Sequence, residues 1–232
     1  MLEVRDIYVG YYKDLHILQG VSITAQKGKI TAILGANGVG KSTLLKTIYG
    51  FLTPASGEVL LEGQNIVGTP THKLIDLGLS YLPQQPGIFP WMSVEENLEM
   101  GAWTFRNDKA RIKRKLEENY ERFPALRDRR TSRAGELSGG MQRMVEIGRA
   151  LMTDPKVILV DEPTAGLAVM LARDIYHLIT QLKEEGITIV LVDQNIRQAI
   201  DHADYVYILE LGRNKVEGPR EEFADLRKAL WL

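Results

Sequence analysis

Residues Gly35 to Thr43 read G-A-N-G-V-G-K-S-T, the G-x-x-x-x-G-K-[ST] spacing whose backbone amides cradle phosphates. Gly35, Ala36, Asn37, Gly38, Val39, Gly40, Lys41, Ser42 and Thr43 are therefore candidate phosphate-binding residues. Lys41 is placed to reach the β- and γ-phosphates, and the Ser42 hydroxyl to ligate Mg²⁺. Glycines at 35, 38 and 40 let the backbone turn tightly and approach an anion with no Cβ in the way. The flanks fit this use. Lys29–Leu34 is a short apolar run suited to a buried strand, and Ser42–Tyr49 suits a helix. The start of that helix would point free amides and its dipole at the phosphates. The chain is expected to bind a nucleoside triphosphate.

A second constellation, Lys156-Val-Ile-Leu-Val-Asp161-Glu162-Pro163, puts two carboxylates at the carboxyl end of an apolar strand, where open α/β sheets hold their ligands. Asp161 suits a direct or outer-sphere role on Mg²⁺, which prefers oxygen ligands and keeps several waters. Glu162 is the candidate for orienting or deprotonating an attacking water, for which its pKa must rise. Hydrolysis of a γ-phosphate asks mainly for positioning and charge stabilisation. A third segment, Leu137-Ser-Gly-Gly-Met-Gln-Arg143, has the form of a serine-capped helix start, with Gly139 and Gly140 following Ser138.

The elements that must carry these residues follow from pattern. Val4–Val9, Val21–Ala25, Ile30–Leu34, Glu58–Glu62 and Leu79–Leu82 read as strands separated by turn signals. The proline-rich Pro83–Pro90 reads as a loop or joint. From Ser93 to Met152 the chain reads as helical, opening with capping-box spacing at Ser93 and Glu96. Val157–Val160 and Thr188–Val192 suit central parallel strands buried on both faces, with an amphipathic helix, Leu171–Glu185, between them and ending at Gly186. Val206–Glu210 and Lys215–Glu217 form a candidate hairpin around Gly212. The expected fold is α/β: a mostly parallel sheet core with an antiparallel β lobe (1–87 and 153–232 together) and an inserted helical lobe over 88–152. The chain has 232 residues, a formal net charge of −1 and no cysteine. That excludes disulfides and thiolate zinc sites and gives no overall basic excess for a nucleic-acid partner. Residues 106–133 carry eleven Lys/Arg against five Asp/Glu, which reads as a solvated helix face or as a surface toward anionic lipid or a partner. The histidines at 16, 72, 177 and 202 show no metal-ligand spacing. No apolar run is long enough for a membrane span, and the first residues lack a signal peptide's form.

Together with the two phosphate motifs, Leu137–Arg143 resembles the signature sequence of ATP-binding cassette (ABC) ATPases, and its distance from Asp161-Glu162 is similar to theirs. The resemblance covers essentially the whole chain. It implies ATP with Mg²⁺, held between two protomers, with Ser138, Gly139 and Gly140 of one facing the γ-phosphate bound by the other. It implies that Gln84, with Gln85 as neighbouring competitor, touches Mg²⁺ and the attacking water. Tyr12, with Tyr11 as runner-up, is implied to stack on adenine. Two departures stand out. Ala168 occupies a position where an aspartate is usual in the loop contacting the second protomer. Gln194, in Asp193-Gln194-Asn195, stands where a histidine is usual. It can donate a hydrogen bond but cannot titrate near neutrality, so it is expected to act as a fixed donor and leave the base role to Glu162.

Both departures, with Ile33–Gly40, Phe89–Leu98 and Ile147–Met152, resemble the ATPase subunits of branched-chain amino-acid importers, the shorter of the two by length. The resemblance implies an ATPase at the cytoplasmic face of the inner or plasma membrane. Its partners would be a second ATPase protomer, identical or homologous, and transmembrane permease subunits docked near Gln84 and Phe89–Met92, residues that could equally be lobe core. A urea or short-amide importer is the near alternative, and a soluble ABC ATPase acting on DNA or ribosomes the distant one.

Overall fold

Five-residue apolar runs set the architecture, because a strand with no polar alternation must be covered on both faces. In the computed structural model, which describes residues 1–11 and 15–223, the chain begins with β1 (Leu2–Val9), β2 (Leu18–Ala25), β3 (Ile30–Leu34), α1 (Lys41–Ile48), β4 (Ser56–Leu61), β5 (Gln64–Asn65), α2 (Thr71–Asp76) and β6 (Leu79–Leu82). Four helices follow, α3 (Val94–Met100), α4 (Lys109–Arg122), α5 (Pro124–Arg127) and α6 (Gly139–Leu151). The chain then returns through β7 (Val157–Asp161), α7 (Val169–Glu184), β8 (Thr188–Val192), α8 (Ile196–His202), β9 (Tyr205–Glu210) and β10 (Arg213–Pro219).

These strands form two sheets, an antiparallel one in the order β2-β1-β4-β5 and a six-stranded one in the order β10-β9-β3-β8-β7-β6. The second is parallel from β9 to β6, with β10 antiparallel at its edge. Every residue of β3, β7 and β8 is buried, and alternate residues serve opposite cores. Ile30, Ala32, Leu34, Ile158, Val160, Ile189 and Leu191 face the first, which α7 covers with Ile175, Tyr176, Leu178, Ile179 and Leu182. Ile33, Val157, Leu159, Val190 and Val192 face the second, together with Leu44, Leu45 and Ile48 of α1 and the inner residues of the antiparallel sheet. Because α1 is sandwiched this way, the loop before it is held at the carboxyl edge of the parallel strands.

Helices α3 to α6 extend the first core rather than building a separate one: Val94, Leu98, Leu116, Tyr120, Val145 and Ile147 belong to the same cluster as the sheet residues. The capping box at the start of α3 forms as the spacing requires, Glu96 N donating to Ser93 Oγ (3.1 Å) and Ser93 N to Glu96 Oε2 (2.7 Å). One turn on, the fully buried Asn97 accepts from Phe89 N (2.7 Å) and donates to Phe89 O and Ser93 O (both 2.9 Å). It fixes the end of the proline-rich segment, which has no regular structure from Pro83 to Phe89.

Several sequence expectations are corrected. The stretch from Ser93 to Met152 is not continuously helical; turns and single 3₁₀ turns interrupt it between α3 and α4 and again between α5 and α6. The helix expected at Leu171 starts at Val169. Helices α2 and α8 and the short β5 had no periodic signal long enough to be read. Most basic residues of 106–133 are exposed, as a solvated face requires, while a few reach across the fold. Arg122 grips Glu185 with two bonds of 2.6 Å, tying the end of α4 to the end of α7. Lys115 is buried between Glu118 and Asp154. The Tyr12 position lies outside the described residues.

Ala168 occupies the N-cap of α7 with cap geometry (φ −63°, ψ 150°) and no side-chain cap. An N-cap Ser is worth about 1 kcal/mol over Ala. Ala168→Ser is therefore expected to raise the melting temperature by roughly 2–4 °C, as about 1 kcal/mol does for a chain of this size. A melting temperature unchanged or lowered in calorimetry contradicts the capping account.

Candidate functional site

The loop from Gly35 to Gly40 turns between β3 and α1, and its glycines are required by the geometry. Gly40 caps α1 in the left-handed region (φ 104°), where a Cβ would collide with the Leu18 side chain. At Gly35 (φ 150°) a Cβ would lie 2.5 Å from Leu209 O. The loop wraps around the Lys41 ammonium, which is almost fully buried and donates to Gly35 O (2.9 Å) and Ala36 O (3.1 Å). Beside it a cleft of about 490 Å³ is lined by Asn37, Gly38, Gly40, Lys41, Ser42 and Thr43, by Tyr11 and Ile17 from the antiparallel lobe, and by Gln84, Glu162 and Gln194. That volume is in the range of small-ligand sites.

Parallel register brings the far side of the cleft into place. Asp161 at the end of β7 pairs with Val192 of β8. Its carboxylate accepts from Ser42 Oγ (2.8 Å) on one oxygen and from Tyr81 Oη (3.0 Å) on the other. Glu162 follows with φ at 44°, an uncommon conformation for a residue with a side chain, costing on the order of 1–3 kcal/mol. Its amide bonds Val192 O (2.8 Å), which secures that backbone. Gln84 Nε2 donates to Glu162 Oε2 at 2.7 Å. Burial pushes the Glu162 pKa up, with Asp161 and Asp193 adding to the rise and Lys41 opposing it. A carboxylate raised in this way is a better proton acceptor near neutral pH than an ordinary one.

The structure thus brings together the phosphate loop, Gln84, Asp161, Glu162 and Gln194, and it favours Gln84 over Gln85 at the cleft. Gln194 is exposed, and no hydrogen bond of its side chain is seen among the described residues; only its backbone is fixed. Asp193 does that fixing, buried and accepting from Tyr176 Oη (2.7 Å) and Asn195 N (2.8 Å). Tyr11 forms one wall of the cleft and is about half exposed. Ser138, Gly139 and Gly140 are not part of this cleft. Ser138 caps α6 by accepting from Met141 N (3.4 Å), and both it and Gly139 are exposed.

Two connections escaped the sequence. Arg143 on α6 is buried and donates to Pro83 O (2.7 Å), Gln84 O (2.5 Å) and Glu146 Oε2 (2.5 Å). Glu146 in turn accepts from Gly87 N (2.8 Å). The helix capped by Ser138 thereby holds the segment bearing Gln84 at Pro83, Gln84 and Gly87. Opposite charges three apart among apolar neighbours on a helix were the available hint. Tyr81 is the other connection, and nothing in its apolar strand marks it. Next to this segment, a groove of about 350 Å³ is lined by Tyr49, Tyr81, Phe89, Met100, Trp103 and Arg149, among others. Trp91 and Trp103 are exposed. Among the described residues, no helix is long and apolar enough to cross a membrane, and no cluster of His, Asp or Glu forms a stand-alone metal site.

Comparison with known proteins agrees with this geometry. The family description "ABC transporter" matches residues 18–165. The high-affinity branched-chain amino acid transport ATP-binding protein BraG of Pseudomonas aeruginosa is 43% identical over 203 residues, covering 88% of this chain and 86% of that one. The probable branched-chain amino acid transport ATP-binding protein LivF of Archaeoglobus fulgidus is 40% identical over 229 residues, covering 98% and 96%. Among solved structures, the ADP conformation of an ABC transporter cassette superposes with a TM-score of 0.86 at 34% identity, covering 98% of this chain and 94% of that one. A dimeric cassette bound to ADP and Pi superposes with a TM-score of 0.83 at 25% identity, covering 95% and 99%. On its sequence, its fold and the nucleotide-type cleft at the edge of its parallel sheet, this chain belongs to the ATP-hydrolysing subunits of the ABC transporter family.

Proposed function

We propose that the chain is the motor subunit of an importer for branched-chain amino acids, working at the cytoplasmic face of a membrane through permease partners. The relatives' names support the solute, and the observation that carries the mechanism is the layout of the cleft. Lysine, serine, two carboxylates and a glutamine converge there, while the exposed Ser138 cap lies outside the cleft. In this reading a second protomer, identical or homologous, supplies its Ser138, Gly139 and Gly140 to the phosphates held by Gly35–Thr43. An exposed helix start with free amides is suited to such an anion.

Within one site, Lys41 and the loop amides bind the phosphates, and Tyr11 or Tyr12 packs against the base. The Ser42 hydroxyl and the Asp161 carboxylate form the hard oxygen donor pair that fits Mg²⁺, and the cation, when bound, neutralises charge on the phosphates. Glu162 takes the proton of the attacking water. Gln84 orients that carboxylate and would help hold the cation, and the Gln194 amide would donate to a γ-phosphate oxygen. The Arg143 clamp ties Gln84 to the signature helix, so movement of α6 on closure reaches the catalytic carboxylate. The aromatic groove beside Phe89 receives a cytoplasmic helix of the permease. Nothing in this chain touches the solute, so a urea or short-amide importer uses the same machinery.

Three outcomes test the mechanism. Lys41→Ala is expected to lower turnover about a hundredfold or more, the scale of losing a donor to transition-state charge; near-normal turnover contradicts the phosphate-loop assignment. Glu162→Gln is expected to retain ATP, lose roughly 10²–10⁴ in turnover and accumulate as an ATP-bound dimer of doubled mass in sizing. Normal hydrolysis by a monomer contradicts both the base and the sandwich. Because the water is activated by the deprotonated form and the Glu162 pKa is raised, kcat/KM is expected to fall on acidification at a pH above the ordinary carboxylate range. An acid limb at or below that range contradicts the role of burial.

A further inference from the structure

Asp161 is held from two directions, and only one belongs to the phosphate side. Its Oδ1 accepts from Ser42 and its Oδ2 from the Tyr81 hydroxyl. Tyr81 lies on β6, in register with Leu159 of β7 two residues before Asp161, so its side chain rises toward the end of the neighbouring strand. The same ring forms part of the groove wall. It stacks on Tyr49 (centroids 5.5 Å apart, planes 28° apart) and meets Phe51 edge-on at 5.7 Å, and Phe51 is more than half exposed. Burial and the adjacent Asp161 carboxylate raise the Tyr81 pKa further above neutrality, so the hydroxyl remains a donor.

A carboxylate that must offer one oxygen to a cation gains by having the other committed, because the free rotamer and hydration states are then removed beforehand. We propose that Tyr81 is a positioning residue that fixes Asp161 for the divalent cation and links that carboxylate to the aromatic wall of the groove. The hydroxyl sets which Asp161 oxygen faces Ser42. The ring is set by Tyr49 and Phe51, so a displacement of that wall is passed to the carboxylate through one side chain. The inference rests on the assignment of Asp161 to Mg²⁺.

The test is binding of a fluorescent ATP analogue (mant-ATP) to the full chain, titrated with Mg²⁺ and repeated in EDTA. Tyr81→Phe removes only the hydroxyl. It is expected to raise the Mg²⁺ concentration for half-maximal effect on the order of tenfold, the scale of losing an outer partner of a metal ligand. Nucleotide affinity in EDTA should match wild type, which a general disruption of the cleft would not allow. Tyr49→Leu, which keeps the hydroxyl but removes the stack, is expected to shift the Mg²⁺ dependence in the same direction by a smaller factor. Wild-type Mg²⁺ dependence in Tyr81→Phe overturns the positioning role. A shift in Tyr81→Phe with none in Tyr49→Leu overturns the link to the groove. If affinity of the wild-type chain itself ignores Mg²⁺, the Asp161 assignment falls, and this inference with it.

Discussion

Two adjacent carboxylates at the dry end of β7 are the constraint around which the rest is arranged. Asp161 and Glu162 are both nearly buried, and like charges side by side away from water are costly unless each is hydrogen-bonded. The partners of the carboxylates come from three different elements, Ser42 from α1, Tyr81 from β6 and Gln84 from the loop that follows it, while Val192 O of β8 holds the Glu162 backbone amide. The parallel sheet is what brings those elements to one edge. The left-handed backbone at Glu162 persists because the β7–β8 register holds it in place. Burial that is a liability for stability is thus what lifts the Glu162 pKa toward useful basicity.

A second dependence runs from this edge into the helices. The buried pair Arg143–Glu146 joins α6 to the segment carrying Gln84 at Pro83, Gln84 and Gly87, and Asn97 fixes the far end of that segment, at Phe89, to α3. Because α3 to α6 share one apolar core with the sheet, a displacement of these helices would reach the cleft through packed contacts and a few directed bonds. Breaking the buried ion pair would leave an uncompensated charge, which costs more than the pair itself contributes.

Much of this was readable in the sequence where local chemistry dictates local shape. The phosphate loop was legible because a backbone wrapped around an anion has few alternatives to glycine. The fully buried strands were legible because they show no polar alternation, and the Ser93–Glu96 cap because its spacing is fixed by the helix turn. The start of α7 was not, since Ala168 withholds the polar cap that would have announced it. The six-residue helix α2 and the two-residue β5 were too short to show a period. Tyr81 and Asp193 were silent for another reason: their roles come from strands brought together by the fold, and a tyrosine in an apolar strand or an aspartate after one has no spacing that reveals its partner. The pairing of Lys115, Arg111 and Arg122 across elements was hidden in the same way behind a simple excess of positive charge.

On the proposed reading the cleft is half of a site, since the chain's own exposed Ser138 lies outside it. Mixing two separately inactive chains tests that claim most directly, one carrying Lys41→Ala and the other Ser138→Arg. In the mixed dimer, one nucleotide position pairs an intact phosphate loop with an intact serine cap from the other chain, and the second position has neither. The account requires ATP turnover to reappear on mixing, in proportion to mixed dimer formed. Mixed dimers that assemble with ATP and stay as inactive as either parent would contradict it.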